Sequence, residues 1–133
     1  GQKMSKSYDN FIDIFLPDKE LRKQILGIQT DSIPLEDSKN PKDCNVFNLY
    51  KLIATEEQTS QLKEKYEAGN FGFGHAKQEL FELICNKFSE EREKFNHLME
   101  NKDIIEKELQ KGAEKARKIA KEVLMRVRKN IGY

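Results

Sequence analysis

The sequence predicts an all-α fold, a small bundle of about five or six helices. Apolar residues recur at spacings of three and four along several segments, which is the period of one helix face. Glycines and capping residues stand where these segments begin and end. No segment alternates apolar and polar residues over the length of a strand. With 133 residues, the chain has the length of about one domain.

The first part of the chain is predicted to be mostly loop. Residues 1–10 are polar and have no helical period, so we expect a mobile loop there. Pro17 and Asp18 are predicted to open a short helix that runs to about Leu26, with Asp18 as a capping residue and Gly27 ending the helix. Residues 29–43 then form a long polar connection, a length typical of functional or disordered loops.

Two further helices are predicted in the middle of the chain. The apolar segment around Phe47 and Tyr50 indicates a short helix. Thr55, followed three residues later by a glutamine, matches a capping box, so the next helix begins there. It runs to about Ala68, and Gly69 is the expected residue after its end.

The remaining residues predict one long helix and a closing helix. Asn70–Gly74 is a glycine-rich turn, and a single helix follows from about His75 to Glu100. Asn101 is the expected cap of the closing helix, and Gly112 marks a possible break in it. This helix has a seam of small residues that we expect to be buried: Ala113, Ala116, Ala120, Val123 and Val127.

Charge is distributed unevenly along a chain that is nearly neutral as a whole. The 24 basic and 23 acidic residues give a formal charge of +1. This balance excludes the interpretation that the chain as a whole is a basic arm or an acidic tail. Residues 111–133, however, hold eight basic and two acidic residues. Such a basic stripe attracts phosphates, although a solvated helix surface is the more common explanation. Its members are Lys111, Lys115, Lys118, Lys121, Arg126, Arg128 and Lys129.

The composition also excludes two classes of protein, those held together by disulfides and those that span a membrane. Two cysteines are too few for a disulfide framework and cannot form a zinc site by themselves. No apolar run approaches the ~18 residues that mark a membrane span. We therefore expect no membrane association and no protein metal site.

The segment with the clearest chemistry is Lys3-Met4-Ser5-Lys6-Ser7. Two ammonium groups three residues apart flank hydroxyls in a loop, which suits the binding of phosphates. A solvated loop without a role is the usual fate of such a composition. Chance occurrence of this pentapeptide in a chain of this length is on the order of 10⁻⁴ or less, however, so the match is specific.

KMSKS resembles the second signature of the class I aminoacyl-tRNA synthetases. The continuation of the chain is similar to the tryptophanyl branch of that family in several places. These are Tyr8-Asp9-Asn10, Thr30-Asp31-Ser32, Asn45 with Asn48-Leu49-Tyr50, the turn region with Tyr66, Gly69, Phe71-Gly72 and Lys77, and the segment Gly112–Arg117. The resemblance thus covers the chain nearly from end to end.

The resemblance implies two domains and an activity. Residues 1–16 would be the KMSKS loop and the end of a catalytic domain, and residues 17–133 a helical C-terminal domain that binds the tRNA anticodon. The full enzyme would activate tryptophan with ATP, giving tryptophanyl-adenylate and pyrophosphate, and transfer tryptophan to tRNA(Trp). Lys6 would be the main catalytic contact to the pyrophosphate, with Lys3 supporting it, and Met4, Ser5 and Ser7 would complete the ATP-binding loop.

The resemblance also implies cofactors and partners. Mg²⁺ would be carried by the ATP phosphates rather than by protein ligands. The full enzyme would be a homodimer, and the basic stripe of the closing helix would contact tRNA phosphates. We expect a cytoplasmic location, although bacterial and organellar enzymes share this plan.

Three aromatic residues near the turn have two possible roles. Tyr66, Phe71 and Phe73 could stack on unpaired RNA bases. Aromatic residues at the junction of a helix and a turn are more often part of the core.

One departure from the family and two alternatives remain. The other class I signature, HIGH, does not occur in this sequence, and no pattern of a Rossmann-type catalytic domain is present. We therefore expect this chain to be inactive by itself. Within the family, the alternative is the C-terminal region of a tyrosyl-tRNA synthetase. From another class, it is a stand-alone helical module that binds RNA or protein.

Overall fold

The computed structural model describes residues 3–8 and 10–132, and in these ranges the chain is helical with no strand. Gly1, Gln2, Asp9 and Tyr133 lie outside the described residues, so part of the predicted loop and of the family-like Tyr8-Asp9-Asn10 segment is not covered. The helices are α1 (Asp18–Leu26), α2 (Asn45–Ile53), α3 (Glu56–Ala68), α4 (Phe73–Lys87), α5 (Ser89–Glu100) and α6 (Lys102–Asn130), with 3₁₀ turns at Lys6–Tyr8 and Pro41–Asp43. The predicted all-α class and the number of helices are confirmed.

The chain divides into two units, Gly1–Arg92 and Glu93–Tyr133. In the first unit α4 packs against both α1 and α2, and α2 also packs against α3. The apolar positions of each helix meet in one core because their spacing places them on a single face. This core comprises Leu21 and Ile25 of α1, Val46, Phe47 and Tyr50 of α2, Leu62 and Tyr66 of α3, Ala76, Leu80 and Ile84 of α4, and Cys44.

Two lysines of α4 bind the ends of its neighbours. The Lys77 ammonium donates to the carbonyl of Leu26 at 3.0 Å, at the end of α1. The Lys87 ammonium donates to the carbonyl of Ile53 at 2.5 Å, at the end of α2. A cation at a helix C-terminus satisfies a carbonyl that lacks an intrahelical partner and opposes the negative end of the helix dipole.

The long connection before α2 is organised by a buried lysine. Lys39 is only 3% exposed. Its ammonium donates to three carbonyls of the preceding turn, those of Pro34 at 2.9 Å, Leu35 at 3.2 Å and Asp37 at 2.9 Å. Its backbone N–H donates to the carbonyl of Tyr66 at 2.7 Å, which ties the connection to α3.

The predicted start and end of α3 are confirmed. The Thr55 hydroxyl accepts from the N–H of Gln58 at 3.2 Å, and the Gln58 side chain accepts from the N–H of Thr55 at 3.0 Å. Gly69 follows the helix with φ of 76°, a region that disfavours other residues. A Cβ at Gly69 would lie 2.4 Å from the backbone oxygen of Glu36, so the close approach of the connection also requires glycine.

Two predicted caps are wrong. Pro17, not Asp18, stands before α1, and no side chain caps that helix. The carboxylate of Asp18 instead accepts from the guanidinium of Arg92 at 2.5 Å. Asn101 precedes α6 without capping it, because its side-chain amide donates back to the carbonyl of His97 at 2.8 Å, at the end of α5.

The single helix predicted from His75 to Glu100 is two helices. It begins earlier, at Phe73, and it is interrupted at Phe88, whose backbone has φ of −108° and ψ of 22°. Neither glycine nor proline stands at this point, and the apolar period continues across it, so the sequence carries no signal for the interruption.

The second unit consists of most of α5 and the whole of α6. Helix α6 runs for 29 residues and continues through Gly112, where a possible break was predicted. None of its residues is buried, so the prediction of a buried small-residue seam is wrong for the described chain. Val123 and Val127 are 43% and 46% exposed, and of the seam only Ala113 is half-buried.

Candidate functional site

The side chain of Asn10 forms two hydrogen bonds with the backbone of the KMSKS loop. The side-chain oxygen of Asn10 accepts from the N–H of Ser5 at 2.7 Å. Its amide nitrogen donates to the carbonyl of Lys3 at 3.3 Å. We call this pair of bonds the Asn10 clasp. Asn10 was expected only as part of a family-like segment, and this role was not predicted.

The second half of the loop forms a tight turn. The N–H of Tyr8 donates to the carbonyl of Ser5 at 3.1 Å, and the N–H of Ser7 donates to the hydroxyl of Ser5 at 3.2 Å. A hydroxyl that accepts from a backbone N–H two residues on is a common way to fix a turn. Ser5 thus shapes the loop and is half-buried, whereas Ser7 is exposed.

Both loop lysines present their ammonium groups to solvent. Lys3 and Lys6 are exposed, and neither side chain forms a hydrogen bond or ion pair with any other residue that the structure describes. Met4 between them is 45% exposed. The structure therefore brings two available cations and an exposed hydroxyl to one short loop, a donor set that matches phosphate oxygens.

The segment after the loop is attached firmly to the helical unit. Ile12, Ile14 and Leu16 pack against the core. The N–H of Asp13 donates to the side chain of Gln24 on α1 at 3.0 Å. The Arg92 guanidinium donates to the carbonyl of Ile14. The role of Arg92 was not predicted from the sequence, since its partners lie more than seventy positions away.

The aromatic residues near the turn form a cluster around Tyr66. Its ring centroid lies 5.6 Å from that of Phe47, 5.6 Å from that of Phe71 and 6.2 Å from that of Phe73. Tyr66 is fully buried, and its hydroxyl lies 3.3 Å from the Cys44 sulfur. Burial and then this hydrogen bond raise the pKa of the Tyr66 phenol. Tyr66 is therefore a core residue and not a stacking surface, whereas Phe71 and Phe73 are half-buried.

The basic stripe of α6 lies in the second unit, and all seven of its predicted members are exposed: Lys111, Lys115, Lys118, Lys121, Arg126, Arg128 and Lys129. Lys111 forms an ion pair with Glu108 at 2.6 Å. The binding of tRNA phosphates by this stripe stays a prediction.

Residues 3–8 and 10–132 contain neither a membrane-spanning helix nor a cluster of metal ligands. No helix in these ranges is both long enough and apolar enough to cross a membrane. The same ranges hold no group of three or more His, Cys, Asp or Glu side chains placed to hold a metal ion.

Several bacterial tryptophan–tRNA ligases form one group of proteins that are similar to this chain. The tryptophan–tRNA ligase of Campylobacter jejuni strain RM1221 is 47% identical over 132 residues, which are 99% of this chain and 41% of that protein. The tryptophan–tRNA ligase of Fusobacterium nucleatum is 45% identical over 132 residues, 99% of this chain and 40% of that protein. No family model matches the chain.

The fold matches solved structures of the same group. A crystal structure of tryptophanyl-tRNA synthetase from Campylobacter jejuni, complexed with ADP and tryptophan, superposes with a TM-score of 0.93 and 47% identity. The match covers 100% of this chain and 42% of that one. The chain thus spans about two fifths of the length of the curated relatives it matches.

The KMSKS loop, the helical units and these matches define the chain as a segment of a class I aminoacyl-tRNA synthetase. Within that class it belongs to the tryptophanyl-tRNA synthetases, whose C-terminal part it matches. The comparisons give no support to the tyrosyl alternative or to a stand-alone module.

Proposed function

We propose that this chain is the C-terminal part of a tryptophan–tRNA ligase, in which its loop binds the phosphates of ATP. The observation that carries the proposal is the 47% identity over 99% of the chain, a range that includes the KMSKS loop. The full-length enzyme converts tryptophan and ATP into tryptophanyl-adenylate and pyrophosphate, and then transfers the tryptophanyl group to tRNA(Trp) with release of AMP. In this reading the isolated chain is inactive, because it lacks the amino-acid pocket.

The loop acts on the charge that develops in the first step. The tryptophan carboxylate attacks the α-phosphorus, the bond from that phosphorus to the bridging oxygen breaks, and negative charge grows on the departing pyrophosphate. The ammonium of Lys6, supported by that of Lys3, lowers the barrier by meeting this charge more strongly in the transition state than in the ground state. Met4, Ser5 and Ser7 complete the ATP-binding loop. Because the loop offers cations and hydroxyls rather than carboxylates, its donor set fits phosphate oxygens, and Mg²⁺ is carried by ATP.

The helical part serves the second substrate. We place tRNA(Trp) against the exposed basic stripe of α6, where lysines and arginines neutralise backbone phosphates. We place the full-length enzyme in the cytoplasm as a homodimer, as the resemblance of the KMSKS loop and its continuation implies.

The test measures tryptophan-dependent exchange of pyrophosphate into ATP by the full-length protein that carries this chain. Lys6→Gln should lower kcat by about 10²-fold or more, the usual effect of removing one group that stabilises transition-state charge. Lys3→Gln should have a smaller effect. Lys19→Gln is the matched control, because Lys19 is an exposed lysine on α1 outside the loop.

Two results would contradict this function. If Lys6→Gln behaves like Lys19→Gln, the loop does not stabilise the departing pyrophosphate. If the wild-type protein catalyses the exchange of pyrophosphate into ATP in the presence of tyrosine and not of tryptophan, the assigned amino acid is wrong.

A further inference from the structure

The KMSKS loop depends on the residues that follow it for its place on the molecule. In the part of the chain that the structure describes, every hydrogen bond of residues 3–8 ends at a residue between Lys3 and Asn10. The Asn10 clasp therefore gives the loop its shape and not its position. Only three residues separate Asn10 from Ile14, so the two can lie at most about 14 Å apart. The attachment of residues 11–16, which we call the anchor segment, thus determines where the loop lies.

The anchor segment forms a turn around Asp13. The carboxylate of Asp13 accepts from the N–H of Phe15 at 3.0 Å, and its carbonyl accepts from the N–H of Leu16 at 3.3 Å. The N–H of Asp13 donates to the side chain of Gln24 on α1 at 3.0 Å. The carbonyl of Ile14, within the same turn, accepts from the guanidinium of Arg92 on α5, in a partly buried contact. Besides apolar packing, Gln24 and Arg92 are thus the two side chains that hold this segment on the helices.

Arg92 binds two acceptors at once. One terminal nitrogen of its guanidinium donates to the carbonyl of Ile14, and the other donates to the carboxylate of Asp18 at 2.5 Å. The guanidinium is planar and its donors form a rigid fork, so one arginine fixes the separation of two acceptors, which the single ammonium of a lysine does not. The side chain of Arg92 is only 14% exposed, whereas that of Asp18 is 75% exposed. An exposed ion pair contributes little, so the contact with Ile14 has the larger consequence.

We propose that Arg92 is a positioning residue for adenylate formation. By holding the carbonyl of Ile14, it sets the place of the KMSKS loop and hence of the Lys6 ammonium at the departing pyrophosphate. This inference rests on the proposed function, in which Lys6 meets the charge of the transition state. A misplacement of about 1 Å can cost about 10²-fold in rate. Because Lys6 acts more strongly in the transition state than in the ground state, the loss should appear in kcat rather than in KM for ATP.

The first test measures tryptophan-dependent exchange of pyrophosphate into ATP by the full-length protein. Arg92→Met removes the guanidinium and keeps an apolar stem, and it should lower kcat about tenfold with KM for ATP changed less than about twofold. Arg92→Lys, which keeps the charge but not the fork, should have an intermediate effect. Arg22→Gln is the matched control, because Arg22 of α1 donates to Gln78 of α4 at 3.1 Å and also joins two helices. Asp18→Asn should behave like this control, since it leaves the contact with Ile14 in place.

A double-mutant cycle with Lys6→Gln separates positioning of the loop from support of the fold. If Arg92 acts through Lys6, Arg92→Met should lower kcat by less than about twofold once Lys6 is already glutamine. Circular dichroism gives the Tm of every variant, and the assays are run below the lowest of them. If Arg92→Met is unfolded under these conditions, Arg92→Lys takes its place in the cycle.

The outcomes separate this inference from the function on which it rests. If Arg92→Met behaves like Arg22→Gln, or lowers kcat equally with and without Lys6, Arg92 does not position the loop lysine and the ligase function stands. A loss that appears only as a higher KM for ATP overturns the inference in the same way. If Lys6→Gln by itself leaves the exchange unchanged, the loop does not stabilise the pyrophosphate, and the inference fails together with the proposed function of the loop.

Discussion

Replacement of Lys39 by methionine tests whether a buried cation organises the connection before α2. Methionine keeps a long apolar side chain but leaves the carbonyls of Pro34, Leu35 and Asp37 without their donor. These three hydrogen bonds are partly buried, and loss of the charged donor costs about 1–3 kcal/mol for each, while loss of the buried charge returns part of its desolvation energy. We therefore expect Lys39→Met to lower the free energy of unfolding by about 3 kcal/mol.

Thermal unfolding, followed by circular dichroism, measures this effect. For a unit of 60–100 residues, 1 kcal/mol shifts Tm by about 4–8 °C, so Tm should fall by about 12–24 °C. Lys42→Met is the matched control, since Lys42 is an exposed lysine with no partner for its ammonium in the described chain, and its Tm should change by less than about 4 °C. A shift for Lys39→Met as small as that of the control would refute the view that the three carbonyls depend on this ammonium.

Three further predictions concern Gly69, Tyr66 and Asn10. Gly69→Ala should destabilise the chain by about 2–4 kcal/mol in urea unfolding, because φ is 76° and the new Cβ meets a backbone oxygen at 2.4 Å. Gly74→Ala, with open space at its Cβ and a position inside α4, should not destabilise it; equal losses would contradict the steric argument. The pKa of Tyr66 is raised in the folded state, so its contribution to stability is fully present below about pH 10 and is lost as pH rises further, because the unfolded chain releases the proton first. Tyr66→Phe should therefore flatten the fall of Tm between about pH 9 and 11, and an unchanged slope would count against it. Asn10→Leu should slow pyrophosphate exchange by the full-length enzyme about fivefold, which corresponds to the loss of ~1 kcal/mol of hydrogen bonding that orders the loop. Tm should not change, because Asn10 is exposed. Unaltered exchange would show that the Asn10 clasp does not order the catalytic loop.

Local chemistry allowed much of the fold to be predicted. The capping box of α3 depends on Thr55 and Gln58, three residues apart, and Gly69 follows the same helix, so each signal lies next to the feature it specifies. The KMSKS loop was predicted for the same reason, since its lysines and hydroxyls lie within five consecutive residues.

Features that depend on distant partners were not predicted. A lysine is expected at the surface, and Lys39 is buried only because three carbonyls converge on it. Asp18 was predicted as a helix cap from its local position alone. Its actual partner, Arg92, is remote in sequence, so the local pattern gives no sign of the ion pair. In α6 the period of small residues identifies an apolar face, but the period does not say whether the described chain covers that face.

The two lysines of α4 that bind the ends of α1 and α2 also determine how the first unit opens. When α4 unfolds, the carbonyls of Leu26 and Ile53 lose their donors at the same moment as the core loses its central helix. Helices α1, α2 and α4 should therefore open as one cooperative unit and protect their amides from hydrogen exchange to a similar degree. Gln24 of α1 also holds the segment that follows the KMSKS loop. The base of a loop exposed to solvent is thereby joined to the part of the unit that opens cooperatively.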